Sequence, residues 1–230
     1  MTARVDTIIV DGGLEVTRIV TSEQSIVVPS NIQGVPVISL GAMFLRDCHG
    51  SGNRTLVIPA TVTRASEEAL YSTTGIRAIN YLGDFKIFNS FKWMLATDCQ
   101  VTCGDGFTFE FLSEYPMSFP EFDDRILSMH QRISESTVMA RLTNPVCLTE
   151  ENREKYTKYM RSRSFPMAEH AIVDNDINAL RSIMESGLLA EDDLAKLLEN
   201  SVRSGKTSST SYIMSFLNSR KPPERRACLD

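Results

Sequence analysis

The sequence predicts an α/β fold in which a short solenoid of strand-and-return units is followed by an all-α region. Three observations carry this. Aliphatic and β-branched runs bounded by turn residues fill the first half, one unit recurs 25 residues later, and from about Phe119 apolar residues fall at three- and four-residue steps.

The strand-like runs are Thr7-Ile8-Ile9-Val10, Ser25-Ile26-Val27-Val28 and Thr55-Leu56-Val57-Ile58. Asp11-Gly12-Gly13 is a turn signal after the first of them. The second and third runs each end in an aliphatic residue and a proline, Val28-Pro29 and Ile58-Pro59. Proline fits a strand end, where no ladder bond is asked of its missing N–H. The segments after the two prolines are also alike: Val37 matches Val62, Leu40 matches Ala65, Leu45 matches Leu70 and Cys48 matches Thr73, every pair 25 residues apart. A single strand with its return segment cannot bury its apolar side alone, so such copies stack and share one core.

A third stretch reads Ile76 to Tyr81-Leu-Gly83, then Phe91-Lys-Trp93, then Val101-Thr-Cys103-Gly-Asp105-Gly106. Taken with Val28-Pro29, Gly34-Val35-Pro36-Val37, Leu40-Gly41 and Leu45 to Cys48, it resembles the BspA-type leucine-rich-repeat proteins over about residues 5–112. In that family an aliphatic-Pro step, a Gly-x-Pro-Val turn and an Ala-Phe...Cys segment open the array, and a Tyr-x-Gly step with a Val-x-Cys-x-Asp-Gly turn closes it. The middle unit departs from the pattern, with Thr73 where Cys is usual and Glu68-Ala69-Leu70 for the Ala-Phe step. The resemblance implies a protein-binding solenoid of about three units.

Beyond it, Phe122, Ile126, Met129 and Ile133 form one helical stripe. Leu148-Thr149-Glu150-Glu151-Asn152 supplies an N-cap with acids in the first turn of a helix carrying Tyr156, Tyr159 and Met160. Ile183-Met184 and Ile213-Met214 lie 30 residues apart, with Gly187 and Gly205 placed as helix C-caps. This spacing looks ankyrin-like, without the Thr-Pro-Leu-His signature of that repeat. The predicted organisation is a leucine-rich-repeat domain at 1–112, a connecting helical segment at 113–145, an ankyrin-like helical domain at 146–220 and a frayed tail at 221–230.

At 230 residues and 42% hydrophobic, the chain can fold without disulfides or metal. A net charge of −5 with scattered Lys and Arg argues against nucleic acid and membranes as partners. No basic and apolar leader opens the sequence, so a cytoplasmic location is expected. Cys48, Cys99, Cys103, Cys147 and Cys228 are odd in number and dispersed, and read as free thiols.

Four motifs imitate chemistry. Ser204-Gly205-Lys206-Thr207 resembles the end of a phosphate-binding loop, but Asn200 stands where its first glycine belongs and the preceding segment reads as helix. Asp174, Asp176, Asn178 and Glu185 match four calcium-loop positions, but Ala179 replaces the turn glycine. Cys99 and Cys103 could pair or ligate a metal, but no second ligand pair is near and His49, His130 and His170 are scattered, so core thiols are the better reading. Asn53-Arg54-Thr55 is a glycosylation sequon by letters alone.

Eleven aromatic residues, among them Tyr81, Phe85, Trp93, Phe109, Tyr115 and Phe119, crowd the closing unit and the junction to the helices. They are expected to seal the solenoid, the alternative being an exposed patch for a partner. The expected function is a non-enzymatic scaffold for a protein or peptide partner. No catalytic, cofactor or metal residues are assigned and no cofactor is expected. Thr7, Ser25, Thr55, Asn80 and Trp93 are the candidate partner-binding residues. The competing readings are a metal-binding or enzymatic protein using Cys99/Cys103 or the Asp174–Glu185 segment, and a structural module of a homo-oligomer.

Overall fold

The strands of the first half fall in two sheets, between which the chain crosses repeatedly, as a coiling chain requires. In a computed structural model that describes residues 3–48, 52–71, 73–129 and 133–220, these strands are β1 (Arg4–Val10), β2 (Gly13–Val20), β3 (Ser25–Val27), β4 (Asn31–Ile32), β5 (Val35–Leu40), β6 (Arg54–Ile58), β7 (Arg64–Ala65) and β8 (Ile76–Tyr81). A short helix, α1 (Phe85–Phe88), with a 3₁₀ turn over Asn89–Phe91, precedes β9 (Cys99–Cys103) and β10 (Thr108–Phe111). Helices come next: α2 (Glu121–Ser128), α3 (Glu135–Thr143), α4 (Glu150–Asp174), α5 (Ile177–Glu185), α6 (Glu191–Arg203) and α7 (Thr207–Arg220). The chain forms two compact units, Met1–Asn152 and Arg153–Asp230. The fold is mixed α/β, a β-solenoid of about four turns with a C-terminal helical region.

One sheet runs β3-β6-β8-β9 in parallel and ends on β10, antiparallel to β9. The parallel strands are in register, so Ile26, Leu56, Ile79 and Val101 make one inward row, all buried. The other sheet joins the β1–β2 hairpin to β5 and then β7, the last three parallel. The hairpin turns at Asp11-Gly12, where the sequence signalled a turn.

The 25-residue repeat is present in backbone detail. Leu40 pairs with Ala65, and Cys48 N–H donates to Leu45 O as Thr73 N–H donates to Leu70 O. Cys48 and Thr73 are both buried where the coil turns, as are Leu45 and Leu70. Cross-strand steps elsewhere differ, Ser25 pairing with Thr55 and Thr55 with Ala78, so the period is not uniform. Val28-Pro29 and Ile58-Pro59 end β3 and β6, as strand-ending prolines should.

The closing unit carries an aromatic core. Phe85 and Phe107 stack at 3.7 Å between centroids, Phe88, Phe91 and Trp93 pack together, and Phe119 meets Phe109, Phe111 and Phe122 at 5.2–5.8 Å. All of these rings are buried, and Tyr115 is half-buried. They seal the stack, and of the eleven aromatic residues Tyr115 alone keeps partial exposure. Burying one ring of this size stabilises by about 1.5–3 kcal/mol before packing effects.

Segment 113–145 packs into this same first unit. Arg141 and Asp123 are both fully buried and form two bonds, Nε to Oδ1 and Nη2 to Oδ2, each 2.8 Å. Arg141 also donates to the carbonyls of Asn144 and Val146, and its guanidinium lies 3.5 Å over the Phe119 ring. Such saturation is what makes a buried ion pair tolerable. The expected stripe from Phe122 to Ile133 is corrected here. α2 ends at Ser128, Met129 is extended, and a new helix starts at Glu135, capped by Ser134 accepting from Thr137 N–H. Phe122 and Ile126 are therefore buried in α2, whereas Ile133 is buried outside it.

In the second unit Ala168, Ile172, Leu180, Met184, Leu194, Leu197 and Ile213 form one core. Gly187 and Gly205 have φ of +70° and +67° just past α5 and α6, the left-handed C-cap geometry that glycine adopts without a Cβ penalty. The two Ile-Met pairs are not equivalent: Ile183, Met184 and Ile213 are buried, but Met214 is exposed. At the head of α4, Thr149 Oγ1 accepts from Asn152 N–H, as the capping signal predicts. No helix among the described residues is long and apolar enough to cross a membrane. The expected tail at 221–230, with Cys228, lies outside the described residues, as do His49 and His130.

Candidate functional site

Register decides which residues share a surface. On the β3–β10 sheet, the outward positions form two rows: Ser25, Thr55, Ala78, Gln100 and Glu110, and beside it Val27, Val57, Asn80, Thr102 and Thr108. At about 4.8 Å between strands the face is about 19 Å wide. Glu110 is the only charged residue in the two rows, in a chain that is 23% charged. Arg77 is exposed at the irregular step that opens β8, outside both rows.

Three of the five candidate residues, Ser25, Thr55 and Asn80, fall on this face. Thr7 does not. It sits on β1 of the other sheet, opposite Val16, because the chain crosses between sheets and its strands do not all line one surface. Trp93 is also corrected: it is 1% exposed, packs on Phe88 and Phe91, and donates its indole N–H to Ser66 O at 2.9 Å. It is an anchor inside the protein and cannot touch a partner.

Sequence reasoning missed a cleft of about 410 Å³ in the first unit, lined by Leu70, Tyr71, Met94, Leu95, Glu114 and Arg125 among others. One wall is pinned, since Glu114 N–H donates to Leu95 O and Met117 N–H to Trp93 O. A second groove of about 500 Å³ runs along α6 and α7 in the second unit over Leu194, Leu198, Met214 and Leu217. No local motif announces either, because each is built from segments distant in sequence.

The imitated motifs resolve into capping and packing. Ser204 and Gly205 end α6, and Lys206 N–H closes the cap on Ser201 O, so Ser204 to Thr207 is a helix-to-helix turn. Asp176 N-caps α5, accepting from Asn178 and Ala179 N–H. Cys99 and Cys103 lie on one strand, four residues apart, which is about 13 Å along β9 and beyond the reach of a disulfide. Both are buried free thiols, and burial pushes each up to about 12. Burial also raises Cys48 and pushes Tyr81 up to about 12, the latter donating its hydroxyl to Val62 O. Thiols held this way are poor nucleophiles. Among the described residues no group of three or more His, Cys, Asp or Glu side chains gathers to hold a metal ion.

Comparison with known proteins gives little beyond this geometry. No family model and no curated protein matches the chain. One solved structure, a leucine-rich cell surface protein from Faecalibacterium prausnitzii A2-165, is similar at 22% identity over 35% of this chain and 24% of that chain, with a TM-score of 0.29. The fold assignment rests on the strand ladders themselves.

Proposed function

We propose that this protein is a non-enzymatic interaction scaffold, a short BspA-type leucine-rich-repeat domain joined to an ankyrin-like helical region, whose partner is a protein or peptide. The observation that carries the reading is the outer face of the β3–β10 sheet, whose two rows are continuous, in register and uncharged apart from Glu110. Depletion of charge in a contiguous patch is the compositional mark of an interface core. Val27 adds apolar surface there, 58% exposed beside Thr55 and Val57. The leucine-rich-repeat part is supported by the 25-residue repeat and the closing turn. The ankyrin-like part is supported by the paired C-cap glycines.

The test is affinity capture from the source organism with the full chain and with a Thr55→Lys, Asn80→Lys double variant. Both side chains point outward, so the variant should keep its circular dichroism and melting temperature. A partner retained by the parent and lost by the variant supports the face. Equal retention by both overturns it.

A further inference from the structure

We propose that the cleft between the second repeat unit and the 93–96 and 114–117 segments is a docking site for an extended peptide that carries an apolar side chain next to a carboxylate. The proposal rests on the scaffold reading and adds a second site with defined partner chemistry. Two wall residues are large, apolar and open to solvent, Tyr71 at 64% and Met94 at 50% exposed. Between them and the interior stand Leu70 and Leu95, both buried. The bonds that pin 114–117 to 93–95, together with the Trp93 anchor on Ser66, hold one wall in place before any partner arrives. Preorganisation of this kind lowers the entropy lost on binding.

The charge in the cleft selects the partner. Arg125 reaches it from α2 with Nη1 3.7 Å from Met94 Sδ and its guanidinium 5.7 Å from the centre of the Tyr115 ring. Among the described residues no carboxylate pairs with it: Glu121, one turn earlier, is engaged by Lys92 at 3.1 Å, and Asp124 accepts from Asn152. The patch continues from Tyr115 to Met129, whose sulfur takes the Tyr115 hydroxyl at 3.1 Å. Tyrosine, methionine and arginine are the side chains enriched at interface centres. An incoming carboxylate completes Arg125, and an apolar side chain fills the space between Tyr71 and Met94. Glu114, exposed and also lining the cleft, accepts a backbone N–H of the same peptide and disfavours a second acid beside it.

Selection of a random dodecapeptide phage library on the immobilised full chain, followed by titration of the enriched peptide, tests this. Enriched sequences should place Asp or Glu within two positions of Leu, Met or Phe. The peptide should move the Met94 methyl signal in NMR and bind at least tenfold more weakly to Arg125→Ala and to Met94→Ala, with Arg77→Ala unchanged. Basic or acid-free consensus sequences overturn the proposal. So does binding that survives both substitutions, an empty selection, or a Met94 signal that responds to decanoate but to no peptide. An empty selection with capture still lost in the Thr55→Lys, Asn80→Lys variant removes the cleft and leaves the scaffold standing. Capture insensitive to that variant removes the sheet face instead.

Discussion

The two ends of the solenoid are finished differently. At the closing end, nine aromatic rings from Phe85 to Phe122 lie buried under β9, β10 and α2, and a saturated Arg141–Asp123 pair locks α3 over them. At the opening end, the β1–β2 hairpin extends only one of the sheets; Ile9 is 88% exposed on β1 and Val27 is exposed on β3, the terminal strand of the other sheet. A stack of repeats needs a cover wherever it stops. Here the cover is built from large side chains at one end and from a single hairpin at the other, so stability should concentrate in the closing half.

Removing the clamp should produce the largest loss. Arg141→Ala takes away the guanidinium that makes two bonds to the buried Asp123 side chain, and should cost about 3–5 kcal/mol in urea unfolding. Arg141→Met with Asp123→Leu should recover most of that, since an apolar pair carries no desolvation cost. Equal losses in the single and double variants would mean that the pair does not work as a clamp. Phe119→Ala, under the same guanidinium, should cost about 3–5 kcal/mol, because it empties the centre of the seal.

Gly104 comes next. A Cβ there would stand 2.4 Å from Leu82 O, where Gly104 N–H meets Gly83 O and the last coil closes on the one before. Backbone cannot yield as a flexible side chain does, so Gly104→Ala should lower the melting temperature by several degrees, about 2–4 °C per kcal/mol in a unit as large as Met1–Asn152. An unchanged melting temperature would show that the coils are free to separate.

How much of this was legible depends on what each signal measures. The repeat was legible because Val37 to Cys48 and Val62 to Thr73 place the same side-chain sizes in the same order, and the ladder reproduces their spacing. β2 was not. Thr17 bulges opposite the step from Asp6 to Thr7, so inward Val16 and Ile19 are three residues apart and the period-two signal is lost. Ser25, Thr55 and Asn80 could be read onto one strand face, but Thr7 could not be separated from them, because which sheet a strand joins depends on long-range pairing that no local pattern shows. Trp93 was misjudged since composition cannot say whether a tryptophan seals a core or meets a partner. The cleft at Arg125 unites four sequence-distant segments and left no local trace.

Alkaline pH should also separate the ends. Cys99, Cys103 and Tyr81 all belong to the closing half, and burial raises each. A raised acid is neutral in the fold and ionises more easily once unfolded, so its stabilisation is complete below the unfolded value and fades as pH climbs toward the folded one. For these thiols that window runs from about 9 to about 12, and for Tyr81 from about 10 to about 12. Urea midpoints should fall across it, and less steeply in Cys103→Ala. In a Cys228→Ser background, only the exposed Cys147 should react with a thiol reagent before unfolding. Early reaction at Cys103 would mean that the closing turn opens in the native state.

The smallest effect belongs to the opening end, and it is the sharpest check on the comparison. Ile9 is the most exposed large hydrophobic residue described, so Ile9→Thr removes little buried surface and keeps a β-branched side chain on a strand. Its effect on unfolding should stay within about 0.5 kcal/mol. A loss approaching that of Phe119→Ala would show that something covers Ile9 in solution. The hairpin would then be an interface and not an edge, and the contrast between a sealed and an open end would belong to the isolated chain alone.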